Sequence, residues 1–217
     1  MNFIIIIFEL LRMSTIGLQK GVFYKPNGVK LASYLESLGP IFTKFGQLLS
    51  TRTDILDAKT AKELETLTDN CKPFRVDILK RIVVSELGDS IENIFESFDE
   101  EPLAAASLAQ VHSAILKNGN HVVIKVLRPN IEKKVKRNLR LLKAAAKIFS
   151  YLYKESYRLK PNDVVLDYQS TIMKELDLRL EASNTNLTRK NFIDSNELYI
   201  PEVCLLYTSD AADDLLC

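Results

Sequence analysis

The stretch VHSAIL (Val111–Leu116), KNGNH (His121 last) and VVIKVL (Val122–Leu127) decides how this chain is read. Two β-rich apolar runs flank an Asn118-Gly119 pair, the strongest short-range signal for an antiparallel hairpin. The second run carries one charge, Lys125. A lysine inside an apolar strand either runs its stem out to water or aims its ammonium at a partner, because an unpaired buried charge is too costly. Alternation alone favours the wet face of a half-buried strand. The context argues for more: a V-x-I-K strand is tied through a tight hairpin to a strand that emerges from a small-residue loop. That is the layout of a lobe whose loop covers nucleotide phosphates and whose lysine neutralises them.

The loop is PLAAASLAQV, Pro102 to Val111. The small side chains of Ala104, Ala105, Ala106 and Ser107 let backbone N–H groups approach a phosphate, with less chain freedom than glycine would bring. Alanine is also the best helix former, so without the hairpin and Lys125 the run reads as a helix turn or a packed bend.

On both sides of this core the chain reads as helix. Upstream, apolar residues recur at helical spacing through Val29–Leu38 and Ile41–Leu49, separated by Gly39-Pro40, with Pro40 at a first turn where its missing N–H costs little. Asp57 is placed to cap a third helix, and a fourth runs from about Arg75 to Leu87 with Gly88 as its stop. The second of these helices carries KFGQ, with Lys44 and Gln47 on one face. Gly46 in mid-helix costs about 1 kcal/mol relative to alanine, so something packs closely there. Downstream of Pro129, Val135, Leu139, Leu142 and Ala146 line one face of a helix whose remainder is basic, from Lys133 to Lys147. A long helix from about Asp163 to Phe192 is expected next. It carries KELDLRLE, in which Asp177 and Glu181 share a face and Glu175 can serve another partner. The helical first half is expected to have a polar exterior.

Composition bounds the rest. The 217 residues are 47% hydrophobic and 26% charged, with 29 basic against 28 acidic side chains, an ordinary globular profile. A net charge of +1 gives no bulk attraction for nucleic acid or anionic membrane, so either would need a local patch. The longest apolar run, Phe3 to Phe8, falls far short of the roughly 20 residues a bilayer requires. It reads as an interfacial or core helix, without the basic flank and cleavage site of a secretory signal. Cys71, Cys204 and Cys217 are odd in number and widely spaced, which argues for no zinc site, no disulfide framework and a reducing cytosolic setting.

Taken in order, KxGQ at Lys44–Gln47, the alanine-rich loop at Ala104–Ser107, Lys125 followed by Arg128-Pro129, ExD at Glu175–Asp177 and IPEV at Ile200–Val203 resemble the UbiB family of atypical kinase-like proteins. The likeness covers nearly everything from Gly39 to Val203 and lies nearest the bacterial branch that supports ubiquinone biosynthesis. It implies an α+β fold, a protein-kinase-like small lobe of antiparallel sheet plus helices with an amino-terminal helical extension. Residues 1–92 would be the extension carrying KxGQ, and residues 93–203 the small lobe. It further implies an ATP-binding ATPase using Mg, serving the membrane-associated steps that modify a polyprenyl-phenol lipid, beside other ubiquinone-biosynthesis enzymes and without nucleic acid. The location implied is cytoplasmic, peripheral to the inner membrane. By the same resemblance Ala104, Ala105, Ala106, Ser107 and Lys125 face the nucleotide, Lys125 pairs with Glu181, and Lys44 and Gln47 cross the pocket so that Lys44 meets Glu175 and Asp177. A noncatalytic lipid- or protein-binding module, docking through the basic helix, is the competing reading.

The chain departs from the family in having no catalytic loop with its metal-binding Asn and no DFG aspartate, so the large lobe is expected to be missing and phosphoryl transfer is not expected from the residues present. Residues 204–217, CLLYTSDAADDLLC, resemble the conceptual translation of a transposase sequencing adaptor and are set apart from the fold.

Overall fold

The computed structural model describes residues 3–24, 27–69, 71–154 and 156–203. The segment 204–217, with Cys204 and Cys217, lies outside the described residues. In chain order the elements are α1 (Phe3–Gln19), α2 (Gly28–Leu38), α3 (Pro40–Ser50), α4 (Ala58–Leu64), α5 (Val76–Leu87), α6 (Ile91–Ile94), β1 (Phe95–Phe98), β2 (Ala104–Ala105), β3 (Ala109–Leu116), β4 (His121–Leu127), α7 (Ile131–Leu152), α8 (Ser156–Leu159), α9 (Pro161–Glu175) and α10 (Leu178–Asn191). They form two compact units, Met1–Cys71 with Asn130–Ile172, and Lys72–Pro129 with Met173–Cys217.

The first unit is helical. Asn27 caps α2 by accepting from the Lys30 N–H at 2.9 Å, and Asp57 caps α4 by accepting from the Thr60 N–H at 3.0 Å. Gly39 (φ 107°) makes the corner between α2 and α3, with Pro40 opening α3 as its fixed φ allows. Leu35, Ile41, Phe42 and Leu64 close the core of α2, α3 and α4. Val135, Leu139, Leu142 and Ala146, the face expected from periodicity, are buried on α7. On α9, Tyr168 is buried, donates its hydroxyl to the Ile41 carbonyl at 2.5 Å and meets Phe45 edge-on with 5.1 Å between ring centroids. α1, expected from its apolar run to be an interfacial or core helix, leaves one apolar face uncovered. Ile4, Phe8, Leu11 and Leu18, spaced for one helix face, are all exposed, because only the opposite side, around Met13 and Gly17, is covered.

The second unit is built on β3. It pairs along its length with β4, from Ala109↔Leu127 to Ile115↔His121, and along its other edge with β1 and β2, all antiparallel. The alanine run therefore enters a strand and turn, not a helix turn. The β3–β4 connection is a tight loop in which the Gly119 N–H donates to the Leu116 carbonyl at 2.8 Å, Leu116 N–H donates to Asn120 O at 2.9 Å, and Gly119 takes φ 83°. A left-handed residue is required after such a turn, which explains glycine after Asn118. One face of the sheet packs on α5 through Leu79, Val83, Ile91, Phe95, Ala114 and Val126.

That core face also holds polar groups. His112 is fully buried and its Nδ1 lies 3.0 Å from the Asp99 carbonyl, which can only accept, so Nδ1 carries the proton. Nε2 then accepts from the Gln110 amide nitrogen at 3.1 Å, and Gln110 Oε1 accepts from the Phe74 N–H. Every member is satisfied, which is the condition for tolerating polar groups under a sheet.

The single helix expected from Asp163 to Phe192 is two. α9 ends at Glu175 and α10 begins at Leu178, with Asp177 between them as N-cap, its Oδ1 accepting from the N–H groups of Arg179 (3.0 Å) and Leu180 (3.2 Å). Asp177 and Glu181 therefore do not share a helix face. The aspartate competes with the helix for backbone donors and starts a new one.

Candidate functional site

In the second unit the face of the sheet away from α5 is open. Val111 is opposite Lys125 on one side and opposite Ala104 on the other. Directly opposed residues of antiparallel strands share a face, so Ala104, Val111 and Lys125 form one row across about 10 Å, two strand spacings. The fold thus brings the start of the alanine-rich segment and the strand lysine onto the same surface.

Lys125 Nζ donates to both oxygens of Glu181, at 2.7 and 2.6 Å. The geometry follows from the cap at Asp177, which starts α10 and places Glu181 in its first turn, where the helix dipole favours a carboxylate. The two side chains remain 42% and 50% exposed, so the pair contributes only about 0–1 kcal/mol to stability. A charge held so openly is available to a second anionic partner. Phosphate is chemically suited to it.

Ala104 and Ala105 form β2, and the chain reverses through Ala106, Ser107 and Leu108 into β3. The Ala106 N–H donates to the Ala109 carbonyl at 2.9 Å. Arg128, three residues after Lys125, holds this turn: its Nε donates to the Ala106 carbonyl at 2.8 Å, its backbone N–H to the Leu108 carbonyl at 2.8 Å, and a terminal nitrogen to the Lys72 carbonyl at 3.0 Å. Its guanidinium also lies over the Phe74 ring, 5.9 Å from the centroid. Ser107 is buried. No sequence signal beyond the cation itself points to this use of Arg128.

In the first unit, Lys44, Gly46 and Gln47 all face the segment after α4. Gln47 Nε2 donates to the Leu67 carbonyl at 3.0 Å, and Lys44 Nζ lies 3.4 Å from Asp69 Oδ2. A Cβ on Gly46 would stand 2.4 Å from Leu67 Cδ1 and 2.7 Å from Leu35 Cδ1, so the mid-helix glycine is there for the approach of Leu67. Asp69 as a partner of Lys44 was not foreseen. Glu175 and Asp177, the other carboxylates of the expected set, fall in the second unit. Among the described residues no cluster of three or more His, Cys, Asp or Glu is placed to hold a metal ion. No described helix is long and apolar enough to cross a membrane.

The family model for the ABC1 atypical kinase-like domain matches residues 66–212. A probable protein kinase UbiB of Shewanella baltica (strain OS185) is 45% identical over 197 residues, covering 90% of this chain and 36% of the relative, and that of Shewanella loihica is 47% identical with the same coverage. The chain thus spans about a third of the length of these curated relatives. The Rv3197–erythromycin complex from Mycobacterium tuberculosis matches 94% of this chain and 48% of that one at a TM-score of 0.50 and 22% identity, which shows a shared fold. With a mixed helical and small antiparallel-sheet, kinase-like architecture, the chain belongs to the ABC1 family of atypical kinase-like proteins, the family of UbiB.

Proposed function

We propose that the open face of the sheet is a nucleotide-phosphate site, in which Lys125 and the Ala104–Ser107 turn receive ATP and Glu181 keeps Lys125 extended until the phosphates arrive. The observation that carries this is the two-oxygen clasp of Lys125 by Glu181, 56 residues away, on the face that also bears Ala104. The clasp has little structural value, so its worth lies in placing the ammonium. In the protein of full family length the site would serve an ATPase, with Mg held by residues beyond those described, that supports modification of a polyprenyl-phenol lipid in ubiquinone biosynthesis. On this reading residues 1–92 are the extension carrying Lys44 and Gln47, and 93–203 the small lobe. The likeness to proteins named as probable UbiB kinases supports the pathway.

Titration of ATP into the purified chain, followed by fluorescence of a labelled nucleotide, tests the site. Binding that weakens at least tenfold in Lys125→Ala and more modestly in Glu181→Gln is the expected result. Equal affinity in all three proteins would remove the assignment.

A second reading has its own observation. α7 carries seven cations against one acid, Glu132, and ends among exposed Ile148, Tyr151 and Leu152. A basic helix next to apolar and aromatic side chains suits an anionic membrane surface. Co-sedimentation with phosphatidylglycerol vesicles but not with phosphatidylcholine vesicles would support a membrane-docking role, and indifference to both would exclude it.

A further inference from the structure

The turn between β2 and β3 is not closed as an ordinary hairpin. Ala106 donates its N–H to Ala109, but the Ala106 carbonyl, which would accept the return bond from Ala109, is bonded by Arg128 instead. The Leu108 carbonyl is likewise taken by the backbone N–H of Arg128. All described peptide bonds are trans, so a C=O and the N–H that follows it point in opposite directions. Drawing the Ala106 carbonyl toward Arg128 therefore turns the Ser107 N–H away from it. Among the described residues neither the Ser107 nor the Leu108 N–H donates a hydrogen bond. Unpaired backbone donors next to a buried side chain are costly unless a ligand or water takes them.

Arg128 is itself fixed from two further directions, by the Lys72 carbonyl and by the Phe74 ring, whose own N–H is held by Gln110 Oε1. The guanidinium cannot follow the turn if the turn tries to close.

We propose that Arg128 is the positioning residue of the phosphate site: by holding the Ala106 carbonyl it keeps the turn open and directs the Ser107 N–H to donate to a nucleotide phosphate. This rests on the nucleotide reading given above. Every hydrogen bond of Arg128 goes to backbone and it acts through the turn, so its loss should weaken phosphate contacts selectively.

The test compares ATP with adenosine, and adds the Ser107 amide as a direct reporter. In the ¹⁵N-labelled chain, ATP or inorganic pyrophosphate should shift the Ser107 amide resonance. Arg128→Met should weaken ATP about tenfold while leaving adenosine unchanged, and Arg128→Lys, which can keep one bond to the Ala106 carbonyl, should restore part of that loss. ATP and adenosine weakened alike would make Arg128 a purely structural residue and overturn the proposal, as would wild-type affinity for ATP in Arg128→Met. If Arg128→Met does not fold, the wild-type Ser107 resonance decides, and its failure to move on saturating ATP overturns the proposal. Absence of any nucleotide binding by the wild-type chain would instead overturn the site itself, and the inference with it.

Discussion

Of the lysines paired with carboxylates, Lys44 and Lys125 are held in opposite ways. Lys44 is 20% exposed, on a helix whose neighbouring Gly46 and Gln47 are locked against Leu67, and its distance to Asp69 is a loose 3.4 Å. Lys125 is 42% exposed on an open sheet face, yet Glu181 clasps it at 2.6 and 2.7 Å. Around Lys44 the backbone and packing hold the segment, and the charge is carried along. Around Lys125 only the charges hold each other. The difference separates a motif whose loss should damage the fold from one whose loss should damage binding alone.

The comparison breaks most visibly at Gly46. Gly46→Val should destabilise the chain by about 2–3 kcal/mol, since the new methyls overlap Leu67 and Leu35, both buried. Urea unfolding reads this as a lower midpoint with an unchanged slope. A neutral result would mean that Leu67 moves aside freely and that the motif is not packed as described.

A smaller loss is expected at Gln47, where Gln47→Leu keeps the bulk but strips the Leu67 carbonyl of its donor. About 1–2 kcal/mol follows from leaving that acceptor unmet, measured by the same denaturation.

On the other side of the comparison, Lys125→Met should change unfolding free energy by less than about 0.5 kcal/mol, because the pair is half-exposed. Destabilisation as large as that of Gly46→Val would mean that Lys125 serves the fold.

The smallest effect sharpens the role of capping in the helical unit. Hydrogen bonds from the Thr60 N–H, and then from the Thr60 hydroxyl, hold the Asp57 carboxyl below its ordinary range. A depressed folded value means that this contribution is present above the unfolded carboxylate pKa and fades as pH falls through the folded one. Asp57→Asn keeps the acceptor without the titration. The gap in unfolding temperature between wild type and Asp57→Asn should therefore be modest at pH 7 and shrink progressively as pH falls below the ordinary carboxylate range. A gap that persists in acid would put the effect elsewhere.

Local signals were readable where the physics is local. Asp57 before an apolar period, Gly88 after one, Gly39-Pro40 between two and Asn118-Gly119 between strands each mark the element boundary found there. The face of α7 was legible because burial follows a 3.6-residue period. The break at Asp177 was not, since the leucines at Leu176, Leu178 and Leu180 carry an apolar pattern straight through it and hide the cap. The two-way nature of Ala104–Ala105 was also hidden, because alanine suits a helix and only the pairing with Val111 and Gln110 makes it strand. Non-local partners left no trace in spacing. Lys44 with Asp69, Arg128 with Ala106 and Gln110 with Phe74 depend on how the chain folds back, and the meeting of Lys125 with Glu181 was expected only through family likeness.

β3 is the one described strand paired along both edges, with β4 on one side and β1 and β2 on the other. Both β4 and β2 are joined to β3 by tight turns that close at almost no loop-entropy cost, but β4 pairs with it at seven positions and β2 at only two, while β1 must be brought in across a longer connection. Assembly of the sheet should begin at the β3–β4 hairpin and end with the addition of the sparsely paired β2. The last segment to gain protection from hydrogen exchange, and the first to lose it, would then be the alanine-bearing turn, so the piece of the sheet assigned to meet phosphate is also the piece that opens at the lowest free energy.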